Sequence, residues 1–294
     1  MTSSEEAATR GEGSFAHALV GEDRRARELS EEVPIALVYG GETLAVMMGT
    51  PEDLLDFATG FTLTEGIART FSPIHIVRHP NGIECRLTLD ADGRRAFEHR
   101  RRATTGGSSC GLCGIGSLAR AVSAPPTVGG RELRLTMQVV RDAITALADH
   151  QPLHDRTRAA HAAGFVVPGR GLVLVREDIG RHNALDKLAG AVVRAGLDPA
   201  SGAVVLTSRV SIEMVQKAAA LGAAAILAVS APTALAVRTA RVAGQTLVGN
   251  VRGGRFDVFA HPFRLVDDGA DLSDAAHRPI ARSDARPIAT DSSA

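Results

Sequence analysis

The sequence predicts an α/β protein in which a smaller N-terminal α+β domain precedes a larger C-terminal α/β domain. From about residue 118 onward, short apolar runs alternate with amphipathic segments of helical period, a pattern typical of a helix-covered sheet with parallel strands. Between 31 and 105, strand-like segments surround one helix-like segment instead. We therefore place domains at 31–105 and 118–266, joined by a mobile loop at 106–117. Residues 1–30 and 267–294 are polar and aperiodic, and we expect disordered tails there.

Three segments define the smaller domain. "VPIALVYGGETLAVMMGT" predicts a hairpin that turns at Gly40-Gly41. "PEDLLDFATGFTLTEGIA" predicts a helix opened by Pro51, because proline suits the first turn of a helix. "IHIVRHPNGIECRLTLD" alternates like a pair of strands around Pro80-Asn81-Gly82.

Four helices are predicted in the larger domain. Thr136 is the expected N-cap of the first, "TMQVVRDAITALADHQ". Asn183 can cap the second, "NALDKLAGAVVRAG", with Asp186 three residues on as in a capping box. Ser211 can cap the third, "SIEMVQKAAALG", and Pro232 lies in the first turn of the fourth, "PTALAVRTARVAG". The predicted strands between and after them are "GLVLVRED", "AVVLTS", "AAILAVS", "QTLVGNV" and "RFDVFA".

Composition limits the function classes. The net charge is zero, Trp is absent and Tyr39 is the only tyrosine, so we expect no nucleic-acid partner. No apolar run reaches the ~20 residues of a membrane helix and the N-terminus lacks a signal-peptide core, so we expect a cytoplasmic protein without a membrane partner. Three cysteines argue against a disulfide framework. Only Lys187 and Lys217 are lysines in an arginine-rich chain, which suggests that these positions need a compact ammonium.

The stretch "GGSSCGLCGIGS" holds Cys110 and Cys113 at C-x-x-C spacing in a glycine-rich loop. The two thiols could form a zinc site with His154 and His161, act as a dithiol redox couple, or provide a nucleophile with a neighbour. Arginines just upstream, at 100–102, would raise the thiolate fraction. The residues alone leave these alternatives open.

Polar groups follow several predicted strands, where ligand sites of α/β sheets form. Glu177, Asp178, Arg181 and His182 crowd one strand end, beyond what helix capping explains. A phosphate or nucleotide site is therefore expected at this edge. Its other candidate groups, at two further turns, are Ser230, Pro232 and Thr233, and Arg252 and Arg255 around Gly253-Gly254.

Five stretches together resemble the FdhD/NarQ family: "SSCGLCG", "EDIGRHNALDKLAG", "SRVSIEMVQKAA", "SAPTALAV" and "TLVGNVRGGRF". The similarity runs in order over about 33–265. It implies a homodimer whose larger domain has a cytidine-deaminase-like three-layer fold without the zinc. It also implies a sulfurtransferase that accepts a cysteine persulfide from a cysteine desulfurase and serves formate dehydrogenase. The acceptor would be the molybdenum cofactor that carries two guanine dinucleotides.

The resemblance also implies site residues. It places the persulfide on Cys110, with Cys113 as the second catalytic thiol, and no permanently bound metal. GDP is the expected surrogate ligand. The expected cofactor contacts are Asn250, Val251, Arg252, Gly253, Gly254 and Arg255, joined by His182, Ser230 and Thr233 from the strand ends. Alternatives are a cofactor-binding chaperone that moves no sulfur, and a C-x-x-C metal-dependent hydrolase or oxidoreductase.

Overall fold

The computed structural model describes residues 17–18, 26–70, 72–104 and 122–268. The predicted loop at 106–117, with Cys110 and Cys113, lies entirely outside the described residues, and so does most of both predicted tails. Within the predicted N-terminal tail, strand β1 (His17–Ala18) pairs antiparallel with strand β2 (Ala26–Arg27).

The smaller unit is a four-stranded sheet covered by helices. Its strand order is β4-β3-β6-β5, with β3 and β6 parallel and the other neighbours antiparallel. The predicted hairpin turn is confirmed, because Gly40 and Gly41 have φ of 58° and 90°, the left-handed region that this turn requires. The elements are β3 (Val33–Tyr39), β4 (Glu42–Gly49), α1 (Leu54–Thr64), β5 (His75–His79), β6 (Gly82–Leu87) and α2 (Ala91–Thr104).

The larger unit is built on a mixed six-stranded sheet of order β13-β12-β11-β10-β8-β9. Strands β10, β11 and β12 are parallel to one another, and the remaining neighbours are antiparallel. The predicted α/β class with a parallel portion is thus confirmed. The strands are β8 (His161–Val167), β9 (Gly171–Asp178), β10 (Ala203–Leu206), β11 (Ala225–Ala228), β12 (Thr246–Arg252) and β13 (Arg255–Ala260), and a separate short pair is β7 (Leu135–Thr136) with β14 (Leu265–Val266).

Helices cover both faces of the large sheet. Strand residues alternate between the faces, so that Val204 and Leu206 pack against α5, α6 and α7 while Val205 packs against α3. Both faces are buried, which explains why the central strands are continuous apolar runs. Among the described residues, no helix is long and apolar enough to cross a bilayer. The helices are α3 (Met137–Ala148), α4 (Pro152–Thr157), α5 (Arg181–Arg194), α6 (Ile212–Leu221) and α7 (Ala234–Ala243).

Several predicted helix starts are wrong. Helix α5 has Gly180 at its N-cap, and Asn183 lies inside the helix. Helix α1 begins three residues after Pro51. Thr233 caps α7, so Pro232 precedes that helix. Before α1, Thr50 donates to Asp178, and before α7, the backbone N–H of Thr233 donates to the carbonyl of Val210, contacts that local sequence does not reveal. The cap predicted at Thr136 is confirmed, since its hydroxyl accepts a hydrogen bond from the backbone N–H of Val139.

The two units meet where α1 crosses α5. A Cβ added to Gly60 would lie 1.7 Å from the carbonyl oxygen of Asp186, and one added to Gly190 would lie 1.9 Å from that of Asp56. Only glycine fits at either position. The crossing brings the backbones of the two helices into direct contact and fixes the smaller unit beside the first turns of α5.

Candidate functional site

The carboxyl ends of β10, β11 and β12 lie along one edge of the large sheet, here called the carboxyl edge and formed by residues 207–209, 229–233 and 249–255. Antiparallel neighbours add the start of β8 and the end of β9, where His161 lies opposite Asp178. The structure therefore brings the predicted strand-end residues to one side of the sheet, where ligands of α/β proteins bind.

The β12–β13 turn projects from this edge. Gly253 and Gly254 have φ of 57° and 75°, as a two-residue hairpin turn requires, and Arg252 pairs with Arg255 across it. All four residues are exposed. Neither guanidinium forms an ion pair with any residue that the structure describes. The turn can thus offer two free cations and exposed backbone N–H groups to an anion.

Asn250 and Val251 occupy different environments just before this turn. Asn250 is exposed with φ of 55°, its side chain donates to Asp257 Oδ2 at 2.7 Å, and its backbone N–H donates to the carbonyl of Ser230 at 3.3 Å. The side chain of Val251 is buried in the core on the α3 side. Val251 can therefore contact a ligand only through its main chain.

The two candidate hydroxyls at the next turn differ in use. The Thr233 hydroxyl accepts from the backbone N–H of Ala236 at 3.1 Å and thereby caps α7. Ser230 is half-buried and holds the backbone of Asn250 through its carbonyl. The capping interpretation therefore accounts for Thr233, whereas the Ser230 hydroxyl has no hydrogen-bond partner among described residues.

His182 lies in the first turn of α5 and contacts α6. Its Nε2 lies 3.1 Å from Glu213 Oε2, and the Ser211 hydroxyl donates to the same oxygen at 2.8 Å. Ser211 occupies the N-cap position of α6, as predicted, but its side chain makes no capping bond. The hydrogen bond from His182 is the largest of the effects that lower the pKa of Glu213. Glu213 is therefore a carboxylate at neutral pH.

His161 completes this part of the edge. Partial burial lowers its pKa, and the nearby positive charge of Arg181 lowers it further. The ring is therefore neutral at pH 7. His154 is close enough to add to this effect, and its Nδ1 lies 3.0 Å from the carbonyl oxygen of Ala160.

Asp178 and Lys187 do not face a ligand, because they form a buried ion pair between the two units. The Lys187 ammonium lies 2.8 Å from Asp178 Oδ2, and both side chains are 0% exposed. Thr50, at the end of β4, donates to the same carboxylate through its N–H and its hydroxyl, each at 3.0 Å. Asn183 donates to Asp178 and to the carbonyl of Met48, so its predicted capping role is wrong.

Lys217 forms a second buried network across the units. Its ammonium contacts Asp186 at 2.9 Å and Glu65, at the end of α1, at 2.7 Å. Burial raises the pKa of Asp186. Burial opposes the charged form of Lys217, but the carboxylates of Asp186 and Glu65 outweigh it and raise the pKa of the ammonium. Asp186 therefore pairs with Lys217 rather than completing a capping box.

Glu177, another strand-end residue, also has a structural role. Its two carboxylate oxygens accept the backbone N–H groups of Leu153 and His154, each at 2.8 Å, and so cap α4. Beside it a groove of about 470 Å³ runs between the loop after β4 and α4, lined in part by Asp53 and His150. Glu177 lines this groove, whereas none of the cofactor contacts implied by the family resemblance does.

The cysteines divide into two groups. Cys85 is fully buried in the core of the smaller unit, and burial raises the pKa of its thiol to about 12. Cys110 and Cys113 lie outside the described residues. Within the described part of the chain, no cluster of three or more His, Cys, Asp or Glu side chains could hold a metal ion.

The comparison with protein families decides the assignment. The model of the FdhD/NarQ family matches residues 30–266, which is most of the chain and includes both C-x-x-C cysteines. The chain belongs to the FdhD/NarQ family. The resemblance read from the five sequence stretches is thereby confirmed.

Several relatives of this FdhD/NarQ chain are named as sulfur carrier proteins. A "Sulfur carrier protein FdhD" of Agrobacterium fabrum is 49% identical over 243 residues, covering 82% of this chain and 90% of the relative. Another of Cupriavidus necator is 47% identical over 241 residues, covering 81% and 83%. A crystal structure described as that of a formate dehydrogenase accessory protein from Desulfotalea psychrophila shares the fold, with a TM-score of 0.67 at 23% identity, covering 86% of this chain and 98% of that one.

Sequence reasoning missed Glu213 and the lysine networks of this FdhD/NarQ protein. Glu213 had the appearance of an ordinary acidic residue in the first turn of α6. Its partner His182 comes from α5, so no local spacing links them. The rarity of lysine was the one usable signal, and both lysines are indeed buried ammonium groups.

Proposed function

We propose that this FdhD/NarQ protein is a sulfur carrier. It accepts sulfur as a persulfide on Cys110 from a cysteine desulfurase and passes it to the molybdenum cofactor with two guanine dinucleotides, on behalf of formate dehydrogenase. The names of the relatives support sulfur carriage, and the name of the structural neighbour supports the accessory role. The family resemblance supports a cytoplasmic homodimer.

The burial of Cys85 carries the assignment of the nucleophile. Sulfur transfer needs a thiolate that meets a partner protein's sulfur. Cys85 is 0% exposed with a pKa of about 12, so it supplies neither access nor thiolate. The chain has three cysteines, which leaves Cys110 and Cys113, and both fall within the matched family region.

The loading step is a thiol exchange. The Cys110 thiolate attacks the outer sulfur of the desulfurase persulfide, a new S–S bond forms, and the desulfurase cysteine leaves as a thiolate. For delivery, the Cys113 thiolate attacks the inner sulfur of Cys110. This forms the Cys110–Cys113 disulfide and releases sulfide, so that the two cysteines supply the two electrons that reduce the carried sulfur. A cellular dithiol then resets the disulfide.

The carboxyl edge is the proposed site for the acceptor, which enters as a substrate. Its guanine dinucleotides carry diphosphates, and Arg252 and Arg255 are exposed cations without described ion-pair partners. The backbone around Gly253-Gly254 adds N–H donors. Asn250, Ser230 and His182 lie along the same edge and would orient the nucleotide. The Thr233 hydroxyl serves its helix, so Thr233 would contribute only by stabilising the turn.

Intact-mass analysis after incubation with a desulfurase and cysteine tests sulfur loading. The wild type should gain about 32 Da, the mass of one sulfur, and Cys110→Ala should gain none. Cys113→Ala should keep the adduct but lose turnover, and Cys85→Ala is the matched control that should load normally. An adduct that persists in Cys110→Ala contradicts the assignment. Ligand binding without any adduct favours a chaperone that moves no sulfur.

Thermal shift with guanine nucleotides tests the acceptor site. GDP should raise the Tm more than ADP, because a ligand that binds only the folded state stabilises it. Arg252→Ala and Arg255→Ala should each weaken this shift. Arg170→Ala is the control, since Arg170 is exposed in the β8–β9 turn at the opposite edge. Equal loss of the shift in all three variants would place the nucleotide elsewhere.

A further inference from the structure

The two ring nitrogens of His182 have different surroundings: Nε2 contacts Glu213, whereas Nδ1 forms no hydrogen bond with any described residue. The side chain is 16% exposed, and Nε2 lies 3.1 Å from the Glu213 carboxylate. Nδ1 has no hydrogen-bond partner among the residues described. A mostly buried imidazole held at one nitrogen by a carboxylate keeps one orientation, and its second nitrogen remains open to a ligand.

The Glu213 carboxylate is itself held in place. Ser211 donates to Glu213 Oε2 at 2.8 Å and leaves α6 without a side-chain cap. Thr136 and Thr233, in the same position on α3 and α7, use their hydroxyls as caps. The Ser211 hydroxyl therefore donates to the Glu213 carboxylate and does not cap α6, although it occupies the N-cap position.

The charged and titratable groups around His182 oppose each other. Glu213, from α6, is a carboxylate at neutral pH and stabilises a protonated ring. Arg181, on the same helix, is the neighbouring positive charge, and it lowers the pKa of His161. His161 from β8 is neutral at pH 7, because burial lowers its pKa, and His154 from α4 lies close to His161. Glu213 is the carboxylate in direct contact with the His182 ring, and its charge favours proton uptake there.

We infer that Glu213, held by Ser211, is a positioning residue that fixes His182 with Nε2–H toward α6, and that His182 takes up a proton when a diphosphate binds the carboxyl edge. This inference deepens the proposed function and rests on it. In the neutral ring, Nδ1 carries a lone pair, which repels phosphate oxygen. A proton taken from solvent turns Nδ1 into a donor, and the imidazolium then lies between the Glu213 carboxylate and the phosphate. No bond other than N–H forms or breaks.

Calorimetry of GDP binding between pH 7 and 8.5, in buffers of different ionisation enthalpy, measures this proton uptake. Above pH 7 the phosphates of GDP are ionised, since their last pKa is about 6, so uptake reports on the protein. The wild type should take up a fraction of a proton, and its affinity should fall as the pH rises through the range in which uptake occurs. His182→Asn should abolish both the uptake and the pH dependence.

Variants of Glu213 and Ser211 distinguish a loss of His182 orientation from a general folding defect. Glu213→Gln should move the pH midpoint of binding to lower pH, so that binding at pH 8 is weaker than in the wild type and the deficit shrinks on acidification. Ser211→Ala should do the same to a smaller extent. Glu132→Gln removes an exposed carboxylate elsewhere and should leave the midpoint unchanged. A merely structural defect would not be repaired by acid.

The possible results distinguish failure of this inference from failure of the proposed guanine site. GDP binding without proton uptake, or with the same midpoint in Glu213→Gln as in the wild type, overturns the inference and leaves the proposed guanine site intact. Failure of the wild type to bind GDP at any pH overturns both. In the ligand-free protein, nitrogen NMR should show His182 as the Nε2–H tautomer, identified by its absence in His182→Asn, and the opposite tautomer overturns the inference independently of GDP.

Discussion

Gly60 on α1 and Gly190 on α5 leave no room for side chains where the two helices cross. A Cβ on Gly60 would lie 2.8 Å from the backbone nitrogen of Gly190 and closer still to the carbonyl of Asp186. The smaller unit is thus seated on the larger one by backbone contact, on a helix that begins at Arg181, just after the end of β9.

Gly60→Ala should destabilise the protein, although alanine normally favours helix by about 1 kcal/mol. The added methyl group overlaps backbone atoms, and such overpacking typically costs about 1–3 kcal/mol, so we expect a net loss near the upper value. Urea unfolding measures it. Gly129→Ala is the control, because its nearest neighbour would be 3.9 Å away and its backbone is unstrained. Unchanged stability of Gly60→Ala would mean that the helices cross differently.

Removing one partner of the Lys187–Asp178 pair should be more damaging than removing both. Lys187→Met leaves a fully buried carboxylate uncompensated, and breaking buried pairs in this way costs about 3–5 kcal/mol. The double variant Lys187→Met, Asp178→Leu should recover part of that loss. A double-mutant cycle by chemical denaturation gives the coupling, and additive losses would show that the two groups do not interact.

Cys85 should be the least reactive thiol of the chain. At pH 8, a pKa of about 12 leaves about one thiol in ten thousand ionised, against about a quarter for an ordinary cysteine. The variant Cys110→Ala, Cys113→Ala should therefore react with a thiol reagent more than a thousandfold more slowly when folded than in urea. Rapid reaction of the folded double variant would show that Cys85 is accessible and would make it a candidate sulfur acceptor.

Acid should weaken the fold partly through Glu213. Its pKa is lowered from 4.5 in the folded chain, mainly by His182, so the stability it contributes is complete above pH 4.5 and is lost as the pH falls through the lowered value. Glu213→Gln should cost about 1 kcal/mol at pH 7 and show a flatter acid limb. Stability measured from pH 7 to 3 tests this, and parallel curves for variant and wild type would contradict it.

Local patterns in the sequence predicted most of the large sheet. Continuous apolar runs identified β10 and β11, and alternation identified the strands of the smaller unit. Strand β8 was missed because Gly164 interrupts it. A side chain there would lie 2.8 Å from Leu172 and 3.1 Å from Leu147, so the glycine exists to admit neighbours from β9 and α3. Such a requirement is set by packing across the sheet and leaves no local pattern.

The sequence indicated the position of the strand-end side chains better than their roles. The strand ends place His182, Ser230 and the Arg252–Arg255 turn at the same edge of the sheet. They could not distinguish Asp178, which is buried against Thr50 and Lys187, from a group that faces solvent. Thr50 comes from the smaller unit, 128 residues away in sequence, so no spacing within the motif reveals this contact.

The burial of both lysines offers a way to detect movement between the two units. Lys187 is 0% exposed and Lys217 is 9% exposed, and the chain has no other lysine. An acylating reagent can reach the Lys187 amine only in molecules whose two units have moved apart. The rate at which the Lys187 amine is labelled therefore measures how often the interface between the units opens. Peptide mass spectrometry can follow this labelling without an engineered probe.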